Sequence, residues 1–322
     1  MKSADSHGMF ENCIDFTQVP GFPEPYRGKV RDVYSINDDK LAIVVTDRIS
    51  AFDHILRGSI PFKGQILNRL AAFFMEQVSD IIKTHLIDVP HPNVTIAHAC
   101  KPLPIEVVVR GYLAGHALRE YEKGKRSLCG VSLPDGLRPN EAFPEPVITP
   151  TTKAKNGHDE DISRDQIISQ KLLSEERLSE IEKTALKLFK RGTEIARKRG
   201  LILVDTKYEF GILNDELILI DEIHTPDSSR YFLKDGYEEN FKSGKKPDQL
   251  SKEFVREWLI SRNFMGRKDD VMPGLSETFR VDIYHQYAKL YNKLTGHDFT
   301  PVYTPDFEGT LKEILTRFSK KS

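Results

Sequence analysis

Residues 201–221, LILVDTKYEFGILNDELILID, constrain this chain more than any other stretch. Two short runs rich in Leu, Ile and Val flank Asn-Asp, the pattern of a β-hairpin. Within the first run Asp205, Lys207 and Glu209 alternate with Thr206, Tyr208 and Phe210. Side chains of a strand point alternately to its two faces, so carboxylate, ammonium and carboxylate share one face. A loop of residues 214–216 would set Glu209 opposite Asp221 on that face; a loop one residue shorter would separate them. In the first case two carboxylates converge, and like charges that close need a proton or a cation between them. Mg²⁺, held by one or two carboxylates with nucleotide phosphates, is then the economical occupant. A solvent-facing row of compensating charges fits the same spacing. After Asp221 come His224, Asp227, Ser228, Ser229 and Arg230. A guanidinium fork among hydroxyls suits phosphate or carboxylate.

At 322 residues the chain has room for two lobes. A net charge of −1 argues against a broad nucleic-acid footprint. Cys13, Cys100 and Cys129 form no CxxC pair and no Cys/His cluster, so reduced thiols of a cytoplasmic protein are expected, without zinc. MKSADSHGMF has no apolar signal core, and runs such as LAIVV are too short to cross a bilayer.

The order of elements is β-rich first, then α+β. VRDVYSI and LAIVVT read as strands around the turn NDDK. Apolar residues from Ile66 to Ile82 predict a helix over about 64–83, and IEVVVR at 105–110 is a strand behind the connector KPLP. Residues 130–162, rich in Pro, Gly and Asn, read as a loop. Ser163 and Gln166 form a capping box. A helix over about 174–199 puts Leu178, Ile181, Ala185, Leu188, Gly192 and Ile195 on one face and ends in basic residues and Gly200. Amphipathic segments near 248–260, 276–295 and 307–318 read as a scaffolding tail.

Other stretches carry charge at strand ends. YRGKVRDVY is neither a P-loop nor GxGxxG; its Lys29 and Arg31 read as a basic strand over phosphates or as a charged edge strand. TDRISAFD holds Asp47, Arg48, Ser50 and Asp53, and VVVRGYLAGH holds Arg110, two glycines and His116. Apolar strands that repeatedly end in charged residues point to a shared cleft. TPTTKAKNGHDED adds Lys153, His158 and Asp159.

Together and in order, GKVRDVY, TDRISAFDHIL, IPFKGQIL, EVVVRGYLAG, TPTTKA with a following HDE, LILVDTKYEFG and IDEIHTPDSSRY resemble the SAICAR synthetase family of de novo purine synthesis. The resemblance is dense over residues 20–235 and looser in the tail. It implies an α+β, bilobal fold related to protein kinases and ATP-grasp enzymes. A β-rich nucleotide-binding lobe would take residues 1–101, and an α+β substrate and metal-binding lobe with a helical tail residues 102–322. The implied activity is an ATP-dependent carbon–nitrogen ligase that joins L-aspartate to the carboxylate of carboxyaminoimidazole ribonucleotide. The products are SAICAR, ADP and phosphate, formed through an acyl phosphate, with residues 130–162 as a lid against water. A kinase-like small-molecule phosphotransferase is the alternative, but no HRD or DFG signature is present.

Matched motif by motif, the resemblance implies Lys29 and Arg31 at the ATP phosphates and Lys153 as a catalytic lysine of the nucleotide site. It implies Glu209 and Asp221 on nucleotide and Mg²⁺, with Lys207 catalytic beside them. Asp53 and a catalytic Asp227 would face the imidazole, and Arg110, Ser229 and Arg230 would hold the ribonucleotide phosphate. AHACKPLP resembles the hinge that meets adenine. His116 stands where many relatives have a Ser that helps to hold the phosphate; an imidazole donates one hydrogen bond or carries charge there. The implied partners are small molecules, with no nucleic acid and no membrane, and monomer and homo-oligomer both stay open.

Overall fold

The computed structural model describes residues 8–153 and 160–320; His158 and Asp159 lie outside them. The chain divides into two compact units. One takes the chain up to Phe73, His85–Cys100 and everything from Lys252 on; the other takes Phe74–Thr84 and Lys101–Ser251. The tail, expected with the second lobe, is therefore grouped with the first. The reason is packing: Phe307, Leu311, Ile314 and Leu315 of the helix Phe307–Ser319 share a core with Val19, Tyr34, Ala42, Val44, Val94 and Ile96.

The first unit carries an antiparallel sheet of β1 (Tyr26–Arg27), β2 (Arg31–Ser35), β3 (Lys40–Val45), β4 (Leu86–His91) and β5 (Val94–His98), in the order β1-β2-β3-β5-β4. Asp32 and Tyr34 are buried while Arg31 and Val33 are half-buried and Ser35 is exposed, the alternation of a sheet with one covered face. Lys29 is not on a strand. It sits in the tight turn 28–30, closed by the Gly28 N–H donating to the Arg31 carbonyl at 2.8 Å, so the expected Lys29/Arg31 alternation does not form. The helix Lys63–Gln77 stops short of the expected 83, where Ile81 and Ile82 turn back onto the Val78 carbonyl.

The second unit is built on β6 (Lys101–Tyr112), β7 (Ala142–Thr152), β8 (Leu201–Leu213), β9 (Glu216–Ile220) and β10 (Ser229–Leu233), all antiparallel. The order is β7-β6-β8, and β9 and β10 divide the other edge of β8 between them. Two expectations fail here. Lys101–Pro104, expected as a connector, opens β6; its two prolines lie beyond the last β7 pairing, so only one neighbour asks for ladder bonds. Residues 142–152, expected within a loop and lid, form β7. Three prolines hide that strand in the sequence, yet an edge strand tolerates them, and two fall where the register slips between Ala142 and Val147.

The helix Glu175–Lys198 covers one face of this sheet. Ser174 caps it by accepting from the Arg177 N–H at 3.2 Å, and Glu175 and Glu176 in the first turn with Arg197 and Lys198 in the last complement its dipole. Leu178, Ile181, Ala185, Leu188 and Gly192 are buried as the periodicity predicts, with Ala196 in place of Ile195. A Cβ on Gly192 would meet the His224 ring at 2.4 Å, and one on Gly111 would meet Phe189 at 3.1 Å. The helix thus lies on the face of Tyr208 and Gly111, opposite to Asp205, Lys207 and Glu209. His224 belongs to that core: it is fully buried, its Nε2 is 2.7 Å from the Tyr208 hydroxyl, and burial lowers its pKa to about 3.

Candidate active site

The turn between β8 and β9 decides the geometry. Leu213 pairs with Glu216 and Glu209 with Ile220, so the loop is Asn214-Asp215 alone. Both residues have φ near +50° to +64°, the conformation that a tight hairpin needs and that Asn and Asp tolerate. The longer loop that would have set Glu209 opposite Asp221 does not occur. Asp221 reaches the same place by another route. It follows the last residue of β9 with φ +65°, which breaks the alternation of the strand. Its Oδ2 comes to 3.5 Å from Lys207 Nζ.

Around Lys207 the charges gather. Its Nζ donates to Glu209 and, at 3.0 Å, to Glu106 Oε1. Lys153 Nζ donates to the other Glu209 oxygen. Burial would lower the Lys207 pKa, but Glu209, Asp221 and Glu106 overcome it and hold it well above the usual range. Burial would likewise raise Glu209, and Lys207 with Lys153 holds it well below. Glu106 goes the other way, raised by burial to about 7 against the pull of Lys207. Three carboxylates thus face two ammoniums. Among the described residues no group of three or more His, Cys, Asp or Glu is arranged to hold a metal by itself. Glu209 and Asp221 already flank one cation, and Mg²⁺ asks for only one or two carboxylates when phosphates complete its shell. The donor set fits that ion.

The other end of the same face has the opposite balance. Arg110 lies across from Asp205 on β6, and Arg230 lies across from it on β10. Arg230 Nη1 is 2.5 Å and Arg110 Nη1 3.4 Å from the same oxygen, Asp205 Oδ2. Arg110 is also held by Nε donating to Thr149 Oγ1 at 2.8 Å. Burial lowers its pKa and Arg230 adds to that, while Asp205 opposes. Two guanidiniums share one carboxylate. Beside them the helix Gly115–Glu122 begins without a side-chain cap. Gly115 has φ +55°, and a Cβ there would stand 2.4 Å from Arg230 Cζ, so only glycine lets the guanidinium lie over this helix start. His116 Nε2 is 2.8 Å from Asp161 Oδ2.

Ser229 is not brought to this face: its hydroxyl donates to Thr206 Oγ1 at 2.7 Å on the opposite side of β8. Asp227 is half-buried in the turn that precedes β10. In the first unit Lys29 and Asp53 pair with each other, and Arg31 is half-buried on β2. Asp53 follows Phe52 in the turn of a short ribbon, both at positive φ, conformations that recur at functional sites. Sequence reading missed Glu106, although Glu106, Val108 and Arg110 repeat the same period of two. It also missed Asp161, which no local pattern marks.

The family model for SAICAR synthetase matches residues 24–271. The phosphoribosylaminoimidazole-succinocarboxamide synthase of Bacteroides thetaiotaomicron is 50% identical, covering 94% of this chain and 96% of that protein. That of Cytophaga hutchinsonii is 51% identical over 92% and 96%. Among solved structures, a SAICAR synthase from Saccharomyces cerevisiae complexed with SAICAR is similar at a TM-score of 0.77 and 34% identity, covering 89% of this chain and 100% of that one. A SAICAR synthetase in complex with ADP is similar at 0.66 and 28% identity, over 86% and 100%.

Proposed function

The chain belongs to the SAICAR synthetase family, ATP-dependent carbon–nitrogen ligases of purine biosynthesis, and on that premise we propose how its residues divide the reaction. One observation carries the reading: a single sheet face has surplus negative charge around Glu106, Glu209 and Asp221 and surplus positive charge around Arg110 and Arg230. Asp205 and Glu209 are four residues apart on one strand, roughly 13 Å. A ribonucleotide with a phosphate at one end and a reacting carboxylate at the other matches such a span.

In this reading Arg110 and Arg230 hold the 5′-phosphate of carboxyaminoimidazole ribonucleotide beside the helix start at Gly115, with His116 as a further contact. Ser229, bonded away behind the strand, takes no part in it. Glu209 and Asp221 would hold Mg²⁺, which when bound neutralises the charge of the ATP phosphates. Lys207 orients both carboxylates, and Lys153 adds positive charge at the transferring phosphoryl group. Lys29 and Arg31 keep the ATP-phosphate role that the resemblance implies, and Lys29 must then leave Asp53. Asp53 and Asp227 are assigned to the imidazole.

A carboxylate resists an amine because its leaving group would be oxide. We assign the ATP step to that obstacle. A substrate carboxylate oxygen attacks the γ-phosphorus and ADP leaves; the aspartate amine then attacks the acyl carbon, and inorganic phosphate leaves as the C–N bond forms. The unpaired cysteines among the described residues suit a cytoplasmic location, and no described helix is long and apolar enough to cross a membrane. Steady-state ADP release from Mg²⁺–ATP with carboxyaminoimidazole ribonucleotide, with and without L-aspartate, tests the ligation. Release that needs both co-substrates is expected. Release indifferent to aspartate would favour the kinase-like phosphotransferase.

A further inference from the structure

His116 is the second residue of the helix Gly115–Glu122, next to the Cα over which the Arg230 guanidinium lies. Its Nε2 is 2.8 Å from Asp161 Oδ2, and both side chains are about one-third exposed, at 37% and 34%. The hydrogen bond from His116 holds the Asp161 carboxyl below its usual range, against a smaller upward push from burial. An ionised carboxylate can only accept, so Nε2 carries a proton whichever state the ring is in. That settles the chemistry of the other nitrogen. In the neutral ring Nδ1 is an acceptor and repels a phosphate oxygen; in the imidazolium it donates.

The other ionisable groups around this pair keep one charge state near neutral pH. Arg110 of β6 and Lys125 act on Asp161 as fixed positive charges. Glu120, on the same helix, is tied to Lys123 and Lys125 and held down to about 2. Burial pushes the Cys129 thiol, which faces Asp161 from residue 129, up to about 12.

We infer that His116 and Asp161 make the binding of the substrate phosphate take up one proton: His116 meets the phosphate through Nδ1 as an imidazolium, and Asp161 is the positioning residue that sets its tautomer. This rests on the phosphate pocket proposed above. On binding, one proton passes from solvent to Nδ1 and no covalent bond to carbon or phosphorus changes.

The test is calorimetric titration of the full chain with SAICAR between about pH 7 and 9, where a phosphate ester is nearly all dianion. Two buffers of different ionisation enthalpy report the protons exchanged. The wild type should lose about tenfold in affinity across that range, the worth of one charge-assisted hydrogen bond, and should take up protons on binding. His116→Ser should bind more weakly at the lower pH, with a flat profile and no proton uptake. Asp161→Asn should flatten the profile too, because an amide N–H donates to Nε2 and leaves Nδ1–H as a donor in the neutral ring. An Asp161 that only supports the loop would shift the curve without flattening it. Equal slopes and equal proton uptake in the wild type and His116→Ser would overturn the inference alone. Arg230→Ala that binds SAICAR as the wild type does would overturn the phosphate pocket itself, and the inference with it.

Discussion

Each unit of this protein buries a cluster of charges, and the two are built on opposite plans. In the first unit Arg48, 2% exposed, directs its N–H groups to fixed acceptors. Nε donates to the Lys29 carbonyl, Nη1 to that of Asp15, and Nη2 to the Gly28 and Arg31 carbonyls and to Asp32 Oδ1. Asp32 is filled in turn by the Thr17 N–H and hydroxyl and by Arg27. In the second unit three carboxylates share two ammoniums, and two guanidiniums share one carboxylate. A buried charge is tolerable when backbone and partner saturate it. A local surplus of one sign is costly until a ligand of the other sign arrives. The first cluster is saturated within the fold, and the second is the one assigned above, as a proposal, to substrates. The motif TDRISAFD contains both kinds: Asp47 accepts the Ile14 and Gly64 N–H groups at 2.8 Å each and Arg48 locks the Asp32 network, while Asp53 stays at the surface with Lys29.

This contrast breaks most readily at Arg48. Arg48→Met leaves Asp32 short of a buried cation and should cost about 3–5 kcal/mol of stability, read from a denaturant melt, with turnover per folded molecule retained. A normal melt with lost turnover would move Arg48 into the functional class. Asp221→Asn should do the reverse: kcat falls about a hundred- to a thousandfold, on the order of 3–4 kcal/mol, while the unfolding midpoint holds. Normal turnover would remove Asp221 from the proposed metal pair. Gly115→Ala sharpens the positive end. Its Cβ would stand 2.4 Å from Arg230 Cζ, and φ +55° disfavours alanine by about 1–2 kcal/mol. The KM for the ribonucleotide should rise about tenfold with that for ATP unmoved; equal rises in both would argue for a general distortion instead. The smallest effect belongs to pure scaffold, at the cap of the long helix. Ser174→Ala removes the bond to the Arg177 N–H and should cost about 1 kcal/mol in stability. Any change in KM beyond error would show that this helix also tunes the site.

Sequence by itself determined whatever rests on local repetition. Alternation put Asp205, Lys207 and Glu209 in one row, and the same period, read one strand earlier, would have added Glu106. Helical periodicity with a basic last turn and Gly200 marked the helix Glu175–Lys198, and capping chemistry marked the Ser163/Gln166 capping box, almost to the residue, while the Ser174 cap was not read. Only tertiary structure decided the rest, because it depends on a partner or on a single dihedral angle. Pro-rich residues 142–152 become a strand because β6 offers an edge to pair with. The helix Phe307–Ser319 belongs to the first unit because that sheet has an apolar face to cover. Ser229 and Arg230, neighbours in sequence, are separated because a strand turns them to opposite faces. Asp221 joins Glu209 against the hairpin register because one residue past the strand adopts φ +65°, and no spacing rule in the sequence encodes a single left-handed residue.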